Sequence, residues 1–86
     1  MNTNNLAVVT GSSRGIGRSI AERLLSDNYI VIVTSTNSTS IKLFDDLTNK
    51  YPDKCLPFLL DISNIESIDN FFSSIKEFLP KISVLV

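Results

Sequence analysis

An α/β fold built on a doubly wound parallel sheet follows from three features of this 86-residue chain. Short apolar runs recur at Leu6–Thr10, Tyr29–Val33, Cys55–Leu60 and Ile82–Val86. Between them lie segments of about ten to fifteen residues whose apolar positions follow a helical period. The chain has only 3 glycines, and Gly11, Gly15 and Gly17 all fall in the first strand-to-helix junction. Parallel strands need such crossovers, and crossovers are right-handed. The first three strands therefore take the order 3-2-1, and the fourth crosses to the free side of the first. The reversal beside strand one is a topological switch point, where sheets of this kind bind ligands.

Each element has its own local reason. "LAVVT" (Leu6–Thr10) is a short buried strand. From Ile16 to Leu25 the apolar side chains Ile16, Ile20, Ala21, Leu24 and Leu25 form one helical stripe, which "SDN" at Ser26–Asn28 ends. Tyr29–Val33 is apolar and β-branched, a second strand. Thr34–Ser40, "TSTNSTS", is a polar loop able to cap the next helix. That helix has Ile41, Phe44 and Leu47 on one face. It stops near Tyr51-Pro52, because proline disfavours the helical conformation just before it. Cys55–Leu60 is a third strand, with Pro57 expected near its start because proline cannot donate to a ladder. Ser63 and Glu66 have the spacing of a capping box. The helix they open carries Ile65, Ile68, Phe72, Ile75 and Leu79 inward, and Pro80 ends it. Ile82–Val86 is the fourth strand.

The glycine junction carries the chemistry. A helix N-terminus has unpaired N–H groups and a partial positive charge, so it attracts phosphate. The chain must turn sharply to reach that helix, which Gly11 permits. A diphosphate must approach the backbone closely, which a Cβ at Gly15 would obstruct, and Gly17 lets the helix pack against the strand. A plain αβ turn would use glycine for geometry alone. Position after a strand, before a helix and at the switch point favours dinucleotide binding. The loop Thr34–Ser40 contains no acid to accept from a ribose 2′-hydroxyl. An acid there would repel a 2′-phosphate by roughly 4 kcal/mol at about 4 Å and intermediate dielectric. Arg14 would bind that phosphate and Thr36 would add a hydroxyl donor, so NADP(H) is favoured over NAD(H). Arg14 as a solvated loop cation and Thr36 as a surface residue are the plainer readings. Arg18 and Glu22, spaced i, i+4, read as an exposed pair of little worth.

Composition sets the outer bounds. A formal net charge of −1 points to no nucleic-acid and no anionic-membrane partner. No apolar run is long enough to span a bilayer. "MNTNN" lacks the basic and apolar regions of a secretory signal. The lone cysteine, Cys55, fits a reducing cytoplasm, and there is no histidine to act as general base or metal ligand. A cytoplasmic, metal-free single domain over residues 1–86 is the expectation.

The spacing Gly-x3-Gly-x-Gly within "TGSSRGIGRSIAERL" resembles the short-chain dehydrogenase/reductase family. The resemblance runs over the whole chain: "LLDI" is similar to the segment after strand three that lines the adenine pocket, and "SVLV" to strand four. Within the family the likeness is greatest to bacterial 3-oxoacyl-(acyl-carrier-protein) reductases, which share the "SRGIGR" loop and a Thr/Ser-rich end to strand two. The resemblance implies the N-terminal, cofactor-binding part of a Rossmann-type domain, with element order β-α-β-α-β-α-β. The implied cofactor residues are Gly11, Ser12, Ser13, Arg14, Gly15, Ile16, Gly17 and Thr36, with Asp61 and Ile62 bordering the adenine. A turn or cap residue is the alternative for Asp61.

It further implies an NADP(H)-dependent carbonyl reductase acting on an acyl-carrier-protein-linked substrate, in a homo-oligomer. Family members take a proton from a tyrosine whose pKa is lowered by a lysine four residues later, with a serine and an asparagine nearby. Tyr29 is followed by Val33 at that spacing, and Tyr51 by Cys55. No catalytic residue is therefore expected within these 86 residues. The chain reads as the front portion of a reductase, whether a partial sequence or a shortened gene. Alone it is expected to be poorly soluble, because Ile82–Val86 would form an apolar edge. Two alternatives stand beside this: a catalytically inactive nucleotide-binding remnant or regulatory module, and a flavodoxin-like or receiver-type α/β domain with a coincidental loop. A receiver domain would want an acidic cluster near the end of strand one, which "LAVVT" lacks.

Overall fold

Leu6–Val9 (β1), Gly15–Ser26 (α1), Ile30–Ser35 (β2), a 3-10 turn at Ser40–Phe44, Asp45–Lys50 (α2), Cys55–Leu59 (β3), Ile65–Ile75 (α3) and Ile82–Leu85 (β4) succeed one another in a computed structural model of the chain. The structure describes residues 5–12, 15–76 and 82–86. The strands form one sheet in the order β3-β2-β1-β4. Every pairing is parallel: Leu6 faces Ile30, Val31 faces Cys55, and Leu6 faces Ile82. A register shift between Leu6 and Ala7 brings Ala7 opposite Val84. The order and the parallel sense are those the crossover rule requires.

Helices cover both sheet faces, so the strands are apolar on both sides. On one face α1, the 3-10 turn and α2 pack Ala21, Leu25, Phe44 and Leu47 onto Ala7, Val9, Val31, Val33 and Cys55. On the other, α3 packs Phe71 and Ile75 onto Leu6, Val8, Ile32 and Leu60. Phe58 meets Phe71 edge-on, with ring centroids 6.1 Å apart, a geometry the ring quadrupoles favour.

Several local expectations are revised. Strand two runs two residues further than its apolar run, so Thr34 and Ser35 are buried sheet residues and not loop. Ile16 sits in the first turn of α1, beyond the end of the sheet, and is 81% exposed instead of lying on the inner stripe. The second helix begins as a 3-10 turn. Its N-cap residue, Thr39, makes no side-chain cap bond; instead Asn37 Oδ1, two residues before it, accepts from the Ser40 amide at 2.8 Å. Pro57 lies in mid-strand, opposite Val33. It is tolerated because β3 is a sheet edge: the Leu60 amide donates inward to Ser35, and alternation turns the Pro57 nitrogen outward. The cap of α3 is Asn64, whose side chain accepts from the Ser67 amide, and not Ser63. The stripe that packs on the sheet is Ile68, Phe71 and Ile75, while Ile65 is 78% and Phe72 51% exposed. The expectations for Leu79 and Pro80 lie outside the described residues.

Two helix ends have simple causes. Asn28 adopts a left-handed φ of 72° after α1. Its amide donates to the Leu25 carbonyl and that of Tyr29 to the Leu24 carbonyl, the paired bonds of a Schellman cap. Tyr51, before Pro52, leaves the helical region at φ −126°, ψ 67°.

Candidate functional site

A parallel sheet delivers the C-terminal ends of all its strands to one edge. Here that edge gathers Thr10–Ser12 after β1, Thr36 after β2, Asp61 and Ile62 after β3, and Val86 after β4. Backbone bonds stitch these ends together beyond the ladders. The Leu60 amide donates to the Ser35 carbonyl at 2.8 Å, that of Ser12 to Thr34 at 3.2 Å, and that of Thr10 to Val86 at 3.0 Å. Thr10 Oγ1 adds a bond to the same Val86 carbonyl at 2.9 Å.

The glycines serve two distinct physical needs. Gly11 and Gly15 have φ of +60° and +69°, the left-handed region in which a side chain is strained. No protein atom lies within 4 Å of where a Cβ would sit at either. Gly17 is the reverse case. A Cβ there would lie 2.6 Å from the Gly11 carbonyl oxygen and 3.2 Å from the Ser12 Cα. The helix thus packs on the turn that leads into it, rather than on the strand as expected from sequence. The space a Cβ would take at Gly15 stays open toward solvent beside exposed Ile16. Amides in the first turn of a helix have no intrahelical acceptor.

Ser12 is fully buried. Its hydroxyl donates to the Val9 carbonyl at 2.7 Å and accepts from the Thr34 amide at 3.0 Å. Its side chain is therefore spent on holding the turn. Thr34, expected in the polar loop after strand two, answers with its own hydroxyl: Thr34 Oγ1 accepts from the Gly11 amide at 2.9 Å. The signal for it was present in the sequence, as a polar residue directly after a β-branched run.

Thr36 is exposed in the bend after β2. Asp61 is half-buried and Ile62 77% exposed. Asp61 Oδ1 accepts from the Ser63 hydroxyl at 2.6 Å and the Ser63 amide at 3.0 Å. Those two bonds, the hydroxyl's first, hold its carboxyl below the usual carboxylate range. The turn role weighed for Asp61 is thus present. Among the described residues Asp61 Oδ2 has no hydrogen-bond partner. Ser13 and Arg14 lie outside the described residues. A groove of about 550 Å³ between β3 and α3 includes, among the described residues, none of the ten singled out from sequence. A concavity of about 750 Å³ along α1 begins at Gly15 and Ile16.

Arg18 is more than the exposed pair its spacing suggested. Beside Glu22 at 3.1 Å, it grips both oxygens of Asp46 at 2.7 Å and donates to the Leu43 carbonyl at 2.6 Å. It ties α1 to the start of α2. No local pattern points to it, because its main partner is 28 residues away. Among the described residues no group of three or more potential metal ligands occurs, and no helix is long and apolar enough to cross a membrane.

With this geometry described, the chain can be set beside known proteins. A family model for short chain dehydrogenase matches residues 5–86. A 3-oxoacyl-(acyl-carrier-protein) reductase of Aquifex aeolicus is 38% identical over 82 residues, covering 94% of this chain and 33% of that protein. An NAD-dependent glycerol dehydrogenase of Listeria innocua is 34% identical over 83 residues, covering 96% of this chain and 32% of that protein. The crystal structure of a short-chain dehydrogenase from Streptomyces avermitilis superposes with a TM-score of 0.83 at 31% identity, covering 96% of this chain and 30% of that one. The chain spans about a third of the length of the curated relatives it matches.

Proposed function

Because this chain belongs to the short-chain dehydrogenase family of nicotinamide-dinucleotide oxidoreductases, we infer that residues 1–86 are the cofactor-binding part of an NADP(H)-dependent carbonyl reductase. The observation that carries this reading is the open left-handed turn at Gly15, at the head of α1 and the switch point of the sheet. The diphosphate bridge settles on the amides at that helix head, where Gly15 leaves room and Gly17 lets the helix close onto Gly11. Gly11 and Ser12 shape the turn, and Ser13, Arg14 and Ile16 flank the bridge. Asp61 and Ile62 border the adenine, with the free carboxylate oxygen accepting from its amine. The bound nicotinamide supplies the hydride; these residues hold and orient it.

The acid-free stretch Thr34–Ser40 supports the phosphorylated coenzyme, with Arg14 and Thr36 receiving the 2′-phosphate. The likeness to 3-oxoacyl-(acyl-carrier-protein) reductase supports an acyl-carrier-protein-linked ketone as substrate, a place in cytoplasmic fatty-acid synthesis, and assembly as a homo-oligomer. Titrating NADPH and NADH by fluorescence tests the reading. Gly15→Val should cost at least about tenfold in affinity for both, beyond any loss of stability, and Arg14→Ala should erase the preference for NADPH. Unchanged affinity in Gly15→Val removes the diphosphate assignment. Unchanged preference in Arg14→Ala removes the assignment of NADP.

A further inference from the structure

We propose that Thr34 is a positioning residue for the cofactor's diphosphate: its buried hydroxyl and backbone, interlocked with Ser12, set the trajectory of the glycine turn into α1. This rests on the dinucleotide reading above, but not on which nicotinamide coenzyme binds.

Three bonds make the lock. The Gly11 amide donates to Thr34 Oγ1 at 2.9 Å, the Ser12 amide to the Thr34 carbonyl at 3.2 Å, and the Thr34 amide to Ser12 Oγ at 3.0 Å. A fourth bond, from the Ser12 hydroxyl to the Val9 carbonyl at 2.7 Å, returns the lock to β1. Ser12 and Thr34 are buried to within 1% of full burial. Buried polar groups cost free energy unless every one is paired, so this cluster has one arrangement and little freedom.

The consequence is a division of labour among the amides. Those of Gly11 and Ser12 are consumed by the second strand. Among the described residues of the turn, a bound diphosphate is left with the amides of the helix head, whose position depends on where Gly11 is held. The Gly11 carbonyl is also the atom on which Gly17 packs, 2.6 Å from its absent Cβ. Release of Gly11 from Thr34 therefore frees the surface against which the head of α1 is seated. A threonine at the end of a strand that offers no ligand contact of its own thus governs the ligand's anchoring point.

The test compares Thr34→Val with Thr34→Ser in the purified protein. Valine keeps the shape but removes the acceptor of the part-buried bond from the Gly11 amide; serine keeps that acceptor. Dissociation constants for NADPH and NADH, thermal melts, and amide hydrogen exchange at Gly11 are the readouts. In Thr34→Val, affinity for the tighter coenzyme should fall about tenfold, while Thr34→Ser stays within about threefold. In the unsubstituted protein the Gly11 amide should exchange as slowly as the sheet amides. Thr34→Val binding as tightly as the parent, or Thr34→Ser binding as poorly as Thr34→Val, overturns the proposal while parental coenzyme binding stands. Should Thr34→Val fail to fold, a Gly11 amide in the parent that exchanges as fast as an open loop overturns it. A parent that binds neither coenzyme removes the dinucleotide reading itself, and this proposal with it.

Discussion

Gly15 and Gly17, two residues apart, are irreplaceable for opposite reasons. At Gly15 the barrier is conformational, since φ is +69° and the surrounding space is empty. A side chain there costs the folded protein roughly 1–2 kcal/mol, and its larger effect falls on whatever approaches from outside. At Gly17 the barrier is contact: a Cβ meets backbone, which has no rotamer by which to yield. Gly17→Ala should therefore lower stability by about 1–3 kcal/mol in urea unfolding, with the turn displaced even when no ligand is present. Retained stability in that variant would mean the helix head is less tightly seated than the geometry describes. Asp61 adds a pH dependence. Its carboxyl is depressed in the folded chain by the Ser63 hydroxyl and amide. The stability it contributes is present above the unfolded value near 3.8 and is lost as pH falls through the lower folded value. Melting temperatures measured from neutral pH down to about 3 should decline less steeply at the acid end in Ser63→Ala, which removes the larger of the two causes.

At the scale of elements, Arg18 is the strut that orients α2. Its planar guanidinium sends each nitrogen to a different partner: Nη2 to both Asp46 oxygens, Nη1 to the Leu43 carbonyl and Nε to Glu22. Asp46 is largely exposed, so solvent and salt screen the ionic part. The geometric part is what lysine cannot reproduce. Arg18→Ala should lower the melting temperature by a few degrees, with Arg18→Lys recovering only a fraction. Full recovery by lysine would reduce the strut to a simple charge pair. The same network closes the 3-10 turn at Ser40–Phe44 over the first face of the sheet, where Phe44 is fully buried.

For the whole molecule, the two-sided sheet decides what can be reached from solvent. Cys55 lies in the cluster beneath α1 and α2, and burial pushes its thiol up to about 11. At pH 8 it is almost entirely un-ionised, and the thiolate is the reactive form. A thiol reagent such as Ellman's should react with it slowly in the native protein and promptly in urea, with a native-state rate that tracks global opening. Prompt reaction under native conditions would show that this side of the core opens locally.

Much of this was legible in residue order. The four apolar runs, the helical spacing between them and the right-handed crossover rule lead to the order β3-β2-β1-β4 without a coordinate. The glycine cluster likewise marks the place where strand one turns into a helix. These features depend on neighbours along the chain, so periodicity and turn chemistry suffice to read them. Three others do not: the lock between Thr34 and Ser12, the grip of Arg18 on Asp46, and the outward-facing nitrogen of Pro57 at the sheet edge. Each joins residues more than twenty positions apart or depends on which strand lies outermost. A hydroxyl after an apolar run reads as loop until a second strand supplies its partner. Local sequence therefore determined the elements, their order and the site of the turn. Only packing decided which polar groups hold that turn in place, because hydrogen bonds between distant segments form only once the sheet has brought them together.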